Sequence, residues 1–281
     1  MEQLTGSWVS SSQETIFFQT WKPDAAPKGV ILILHGLGEH SGRYNHVADW
    51  FTKHDYLVQA YDLPGHGKSA GVRGHAKSFA AIHDITNHFI AELNQAYPNI
   101  PLILYGHSMG GELALDYGYS NSAKIDGLIS SSPGLIPGNP PAKILIALSG
   151  ILQAISPKTQ MNNNLPLEGL SRDTSVVDRY KADPLVHPLV SMKIGHEIIS
   201  RGQWLIDHAG EYPEIPLLLQ VGEKDMLVAP RGPIDFAKNH PPLVCKVWPG
   251  LYHELHNEPE QEDIFNYMLK WIEERTVIRH S

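Results

Sequence analysis

The chain has one cysteine, Cys245, in 281 residues. That excludes an intrachain disulfide and points to a reducing, cytoplasmic setting. Long apolar runs are missing as well. The longest, Ile144 to Ile155, is broken by Ser149, Gly150 and Gln153 and is too short to cross a bilayer. The opening Met1-Glu2-Gln3-Leu4-Thr5-Gly6-Ser7 has neither a basic start nor an apolar stretch, so no signal peptide is expected. Positive charge is short too: 22 Lys and Arg against 30 Asp and Glu leave a net charge of −8 with no basic cluster. This argues against a nucleic-acid partner. Metal-binding patterns are absent despite 16 histidines. His253-Glu254-Leu255-His256 places its histidines at i and i+3 after a Gly turn, not as His-Glu-x-x-His on a helix, so no metal and no cofactor are expected.

What the chain does contain is alternation. Gly29-Val30-Ile31-Leu32-Ile33-Leu34 is a continuous aliphatic run of the kind a strand buried on both faces shows. Similar runs recur at 57–62, 102–105, 127–133, 216–221 and 243–248. Between them, apolar residues keep helical spacing, most clearly at Phe79, Ile82, Ile85, Phe89, Leu93 and Ala96. Strands alternating with helices predict a mostly parallel sheet covered on both faces. The rhythm stops between 134 and about 210, where no strand is convincing. That stretch offers an apolar helix (Ala142 to Ile155), a polar loop (Met161 to Asn164), a proline-punctuated segment (Asp183 to Pro188) and a helix from Met192 to Ala209. The expected organisation is an α/β core in two parts, 1–133 and 211–281, with a helical cap at 134–210 inserted between them.

The run Leu102-Ile103-Leu104-Tyr105 breaks into Gly106-His107-Ser108-Met109-Gly110-Gly111 and then turns helical. Gly-x-Ser-x-Gly between a strand and a helix is the pattern of a nucleophile elbow, a strained turn that lifts a serine hydroxyl to the sheet edge. Ser108 would need a base and an orienting carboxylate, each on a loop just past a later strand. Asp225 follows the run 216–221 and His253 follows 243–248, in the order serine, acid, histidine. Glu223 is the nearby rival, and the motif favours Asp225. The oxyanion formed by attack on an ester carbonyl would need two N–H donors. Met109, the residue after the nucleophile, and Leu37, in the loop after the first long strand, are the candidates.

Together the runs His35-Gly36-Leu37-Gly38-Glu39-His40-Ser41-Gly42-Arg43-Tyr44, Asp62-Leu63-Pro64-Gly65-His66-Gly67-Lys68-Ser69, Gly106 to Gly111, Asp183-Pro184-Leu185 and Tyr252 to Glu258 resemble the monoacylglycerol lipase and lysophospholipase group of α/β-hydrolases. The resemblance covers nearly the whole chain, and the Gly-Glu-His-Ser-x-Arg-Tyr run is more diagnostic than the elbow. It implies an α/β-hydrolase fold and hydrolysis of a single acyl ester, with monoacylglycerol as substrate and a lysophospholipid or simple ester as the alternative. A non-catalytic binding protein of this fold would be expected to have lost one of Ser108, Asp225 and His253. The resemblance further implies that Gly36, Glu39, Arg43, His107, Tyr180 and His256 line or brace the polar end that receives the head group. Where animal members carry an acidic residue four positions before that tyrosine, this chain has Val176. The cap helix with Ile144, Leu145, Ile146, Leu148, Ile151 and Leu152 is expected to border the acyl chain and to touch a membrane surface transiently.

Overall fold

The computed structural model describes residues 1–139, 143–241 and 243–276, and for 143–148 the backbone alone. Eight strands form one sheet in the order β1-β2-β4-β3-β5-β6-β9-β10: β1 (Glu2–Val9), β2 (Thr15–Lys22), β3 (Gly29–Leu34), β4 (Tyr56–Tyr61), β5 (Leu102–His107), β6 (Gly127–Ser131), β9 (Leu217–Gly222) and β10 (Cys245–Trp248). The pairs β1–β2 and β2–β4 are antiparallel and the rest are parallel. The central strands β3 and β5 are buried along their whole length, which is why their sequences read as unbroken apolar runs.

Strand periodicity sorts those runs into two cores. Val30, Leu32, Leu34, Leu102 and Leu104 face α2 (Phe79–Ala96) and α3 (Met109–Asn121). Ile31, Ile33, Ile103 and Tyr105 face α1 (Asn45–Thr52) and α8 (Gln261–Arg275). Helix α7 (Arg231–Asn239) joins the first core through Phe236 and Ala237.

Between β6 and β9, no described residue adds a strand to this sheet. The segment holds α4 (Lys143–Ile155), α5 (Thr174–Ala182) and α6 (Met192–Asp207). The sequence-based start of α4 at Ala142 and the side chains of Ile144, Leu145, Ile146 and Leu148 lie outside the described residues. Two features depart from expectation. Part of the polar loop at 161–164 is a short strand, β7 (Gln160–Asn162), paired antiparallel with β8 (Leu189–Ser191). Strands this short carry too few residues for an alternation signal. Helix α5 also went unseen, because Thr174, Ser175 and two β-branched valines weaken its helical signal; it begins where the Asp173 side chain accepts the Ser175 N–H.

The segment is tied to the sheet end at several points. His40 Nε2 meets Asp183 Oδ2 at 2.9 Å, the His187 N–H donates to Gly38 O at 2.9 Å, and the Ser191 N–H donates to Gly74 O at 2.9 Å.

Candidate active site

Ser108 sits between β5 and α3 with φ 55° and ψ −120°, a region non-glycine residues rarely occupy. The glycines on either side show why the turn has this sequence. A Cβ on Gly106 would lie 2.1 Å from Gly110 O, and one on Gly110 would lie 2.1 Å from Leu34 O. Both contacts are with backbone, so no side chain could move aside to make room.

The three residues expected to act together do meet, although β5, β9 and β10 bring them from far apart in sequence. His253 Nε2 is 2.9 Å from Ser108 Oγ, and His253 Nδ1 is 2.7 Å from Asp225 Oδ2. The Asp225 and His253 side chains are almost wholly buried. Asp225 Oδ1 accepts the Leu227 and Val228 N–H groups at 2.9 and 3.0 Å, so the carboxylate cannot rotate away from the imidazole. Glu223 instead accepts the Gly250 N–H at 2.8 Å and braces the turn ahead of His253. The loop bearing His253 is pinned from three sides: its own carbonyl accepts Ser132 Oγ–H, its N–H donates to Gly169 O, and the Glu254 N–H donates to Leu170 O. Burial alone would lower the His253 pKa; the Asp225 carboxylate, through charge and hydrogen bond, outweighs this and raises it above the ordinary histidine value.

Met109 opens α3, so its N–H has no intrahelical acceptor. Leu37 follows β3 and lines one cavity with Ser108 and Met109. Among the described residues neither amide has a hydrogen-bond acceptor. That cavity, about 490 Å3, is walled by Leu152, Met161, Leu165, Val190, Met192, Ile198, Ile199, Leu227 and Val228 among others, and is mostly apolar.

None of Gly36, Glu39, Arg43, His107, Tyr180 and His256 borders it. These residues gather on the other flank of the serine. Glu39 Oε1 accepts the Gly36 N–H at 2.6 Å and Tyr44 O–H at 2.8 Å, and Glu39 Oε2 accepts from Arg43 at 2.6 Å. Burial would raise the Glu39 carboxyl pKa, but Arg43 overrides it and holds the group below the carboxylate range. Arg43 also grips Glu254 through two bonds of 2.7 Å and stacks on the Tyr180 ring at 4.8 Å. The His107 ring lies 4.7 Å from the His253 ring and 4.8 Å from that of His256, which stacks on Tyr44. Burial, with His253 beside it, pushes the His107 pKa down to about 4; burial and His107 push His256 well below the usual value. Among the described residues, His107 Nδ1 and both nitrogens of His256 have no hydrogen-bond partner.

Two residues of this flank escaped the sequence. Glu254 holds Arg43 across 211 positions, a distance over which spacing carries no signal. His35 accepts the Leu63 N–H at Nε2, which leaves Nδ1–H to donate to Gly36 O and so brace the loop before Leu37.

A serine at a sharp strand-to-helix turn, a histidine beside it and a buried aspartate behind that histidine, all beyond one end of a mostly parallel sheet, define an α/β-hydrolase of the serine type. The Hydrolase_4 family, described as serine aminopeptidase S33, matches residues 25–260. Among curated relatives, the monoacylglycerol lipase of Mycolicibacterium smegmatis is 34% identical over 261 residues, 92% of each chain. An abhydrolase domain-containing protein of Dictyostelium discoideum is 36% identical over 98% of this chain, which spans only 29% of that longer protein. The crystal structure of Paleococcus ferrophilus monoacylglycerol lipase superposes with a TM-score of 0.83 at 30% identity, covering 98% of this chain and all of that one. The chain belongs to the Hydrolase_4 family of α/β-hydrolases.

Proposed function

We propose that the chain is a serine ester hydrolase that cleaves monoacylglycerols to glycerol and a free fatty acid. The observation that carries this reading is the Ser108–His253–Asp225 chain of hydrogen bonds opening onto an apolar cavity of about 490 Å3. His253 takes the Ser108 proton as the oxygen attacks the ester carbonyl, and Asp225 holds the imidazole in the tautomer with Nε2 free and stabilises its cation. The N–H groups of Met109 and Leu37 receive the oxyanion, donors of a type worth about 3 kcal/mol each. Collapse returns the proton to the departing alcohol; water, activated by His253, then releases the fatty acid.

The apolar cavity takes the acyl chain. Glu39, Arg43 and Tyr180 brace the polar flank of the serine, on the side opposite the acyl cavity. The similarity to the Mycolicibacterium and Paleococcus lipases supports the monoacylglycerol assignment. Residues 134–210 act as the cap, and Ile151, Leu152, Ile155 and Met161, exposed on α4 and β7, are its face for transient contact with a lipid surface; flotation with liposomes tests that contact. The lone cysteine fits a cytoplasmic setting.

The main test compares turnover of 1-monooleoylglycerol, a diacylglycerol, a lysophosphatidylcholine and a short p-nitrophenyl ester by the wild-type chain and Ser108→Ala. A tenfold or greater lead for monooleoylglycerol, about 1.4 kcal/mol in transition-state binding, is expected. Ser108→Ala should remain folded and lose about 10⁶-fold in turnover. A lead for the lysolipid or the short ester moves the substrate assignment, and an active Ser108→Ala removes the mechanism.

A further inference from the structure

Glu112 is wholly buried one turn into α3, and its N–H donates to Ser108 O at 3.0 Å. Neither carboxyl oxygen has a well-formed hydrogen bond among the described residues; the Gly202 backbone of α6 faces the carboxyl and is the weakest of the influences on it. A buried polar group left unpaired is unusual enough to need a reason. Its surroundings say which form it takes. Asp116 lies four residues further along the same helix face, and His83 of α2 and Arg201 of α6 fix it as an anion, with bonds of 2.7 Å from His83 Nε2 and 2.9 Å from Arg201 Nε. Glu197 of α6 adds a second negative charge nearby, and Arg201, the facing cation, is already bonded to Asp116. Burial first, and then Asp116, raise the Glu112 pKa well above that of an ordinary carboxylic acid and so favour its neutral form.

Its position relative to the reacting atoms gives this a consequence. A Cβ on Gly134 would lie 3.0 Å from Glu112 Oε2 and 3.8 Å from Met109 N. The carboxyl and the oxyanion-binding amide are therefore within about 7 Å of each other, across buried protein where charges are weakly screened. We propose that Glu112 sets the alkaline limit of activity: as a neutral acid it leaves the positive field at the α3 N-terminus to the oxyanion, and as an anion it opposes that oxyanion. Glu112 touches no substrate and acts through the field at Met109; it is a positioning residue. The proposal rests on the ester hydrolase reading above.

The test is the pH profile of kcat/KM on a p-nitrophenyl ester for wild type, Glu112→Gln and Glu112→Ala, with near-UV circular dichroism at each pH. Wild type should lose at least tenfold at alkaline pH while still folded. Both variants should hold their plateau there, with the acid limb set by His253 unmoved. An alkaline limb that persists in Glu112→Gln overturns the proposal, as does a wild-type profile that stays flat until the fold is lost. Should neither variant fold, infrared spectra of the wild type decide: the C=O band of a buried carboxylic acid must vanish over the same pH interval as activity, and activity lost without that change overturns the idea. A fluorophosphonate that labels Ser108 separates the two failures. No labelling at any pH defeats the hydrolase reading, whereas a labelled enzyme with an unresponsive Glu112→Gln defeats only this inference.

Discussion

On one flank of Ser108 the wall is made of ions that have already found one another; on the other it is made of aliphatic side chains around open space. Glu39, Arg43 and Glu254 spend their charges on each other and on the Gly36 amide. The opposite wall, with Val190, Met192, Ile198 and Ile199, presents mainly surface to the cavity. The ionic flank can therefore fix the geometry of the Gly36–Leu37 loop but has little left with which to grip a ligand. The apolar flank sets no backbone geometry at the serine and can accept chains of different length. On the proposed reading, position and acyl-chain selectivity fall to separate halves of the site.

Breaking the ionic flank should have the larger effect. Arg43→Met leaves Glu39 and Glu254, both about 2% exposed, without a counter-charge. A loss of about 3–5 kcal/mol in urea unfolding is expected, as for other buried pairs deprived of one partner. A loss below about 1 kcal/mol, the range of exposed pairs, would show that the network is not structural.

The next effect sharpens the contrast through pH. In the proposed mechanism the neutral form of His253 accepts the serine proton, so with its pKa raised, turnover should be full above that pKa and lost as pH falls through it. The midpoint of the acid limb should lie above 6.5, with a tenfold loss, about 1.4 kcal/mol, for each further unit of acidification. Asp225→Asn should move the midpoint down and lower kcat by about 10⁴-fold. A midpoint at or below 6.5 in the wild type would contradict the role given to Asp225.

The smallest effect is expected on the apolar flank. Ile198→Phe fills part of the chamber and should shift preference towards shorter acyl chains by about tenfold, or 1.4 kcal/mol, with stability changed by less than about 1.5 kcal/mol. Ratios of kcat/KM across an ester series from butyrate to oleate give the answer; an unchanged ratio would place the acyl chain elsewhere.

The sheet was readable because β3, β5 and β9 are buried on both faces, and such strands must be apolar throughout. The elbow was readable for a harder reason: a Cβ at Gly106 or Gly110 would lie 2.1 Å from a backbone oxygen, so no other residue fits there. Asp225 and His253 could be found because each follows a recognisable strand. Glu254 and His35 could not be assigned their partners, since only the folded chain brings Arg43 to one and Leu63 to the other. The β7–β8 pair was missed because three-residue strands leave almost no pattern. Glu112 reads in sequence as an ordinary acid in the first turn of a helix; that it is buried depends on Gly134 and Gly202 packing over it.

The Ser108 backbone is held at φ 55°, a conformation that costs of order 1–3 kcal/mol for a residue with a side chain and little for glycine. Thermodynamics alone would therefore favour replacing the serine. A lineage released from the need for a nucleophile would drift towards glycine at this position and become more stable as it became inert. On the mechanism proposed above, the strain at Ser108 is what the chain sustains to keep a hydroxyl at that point of the turn.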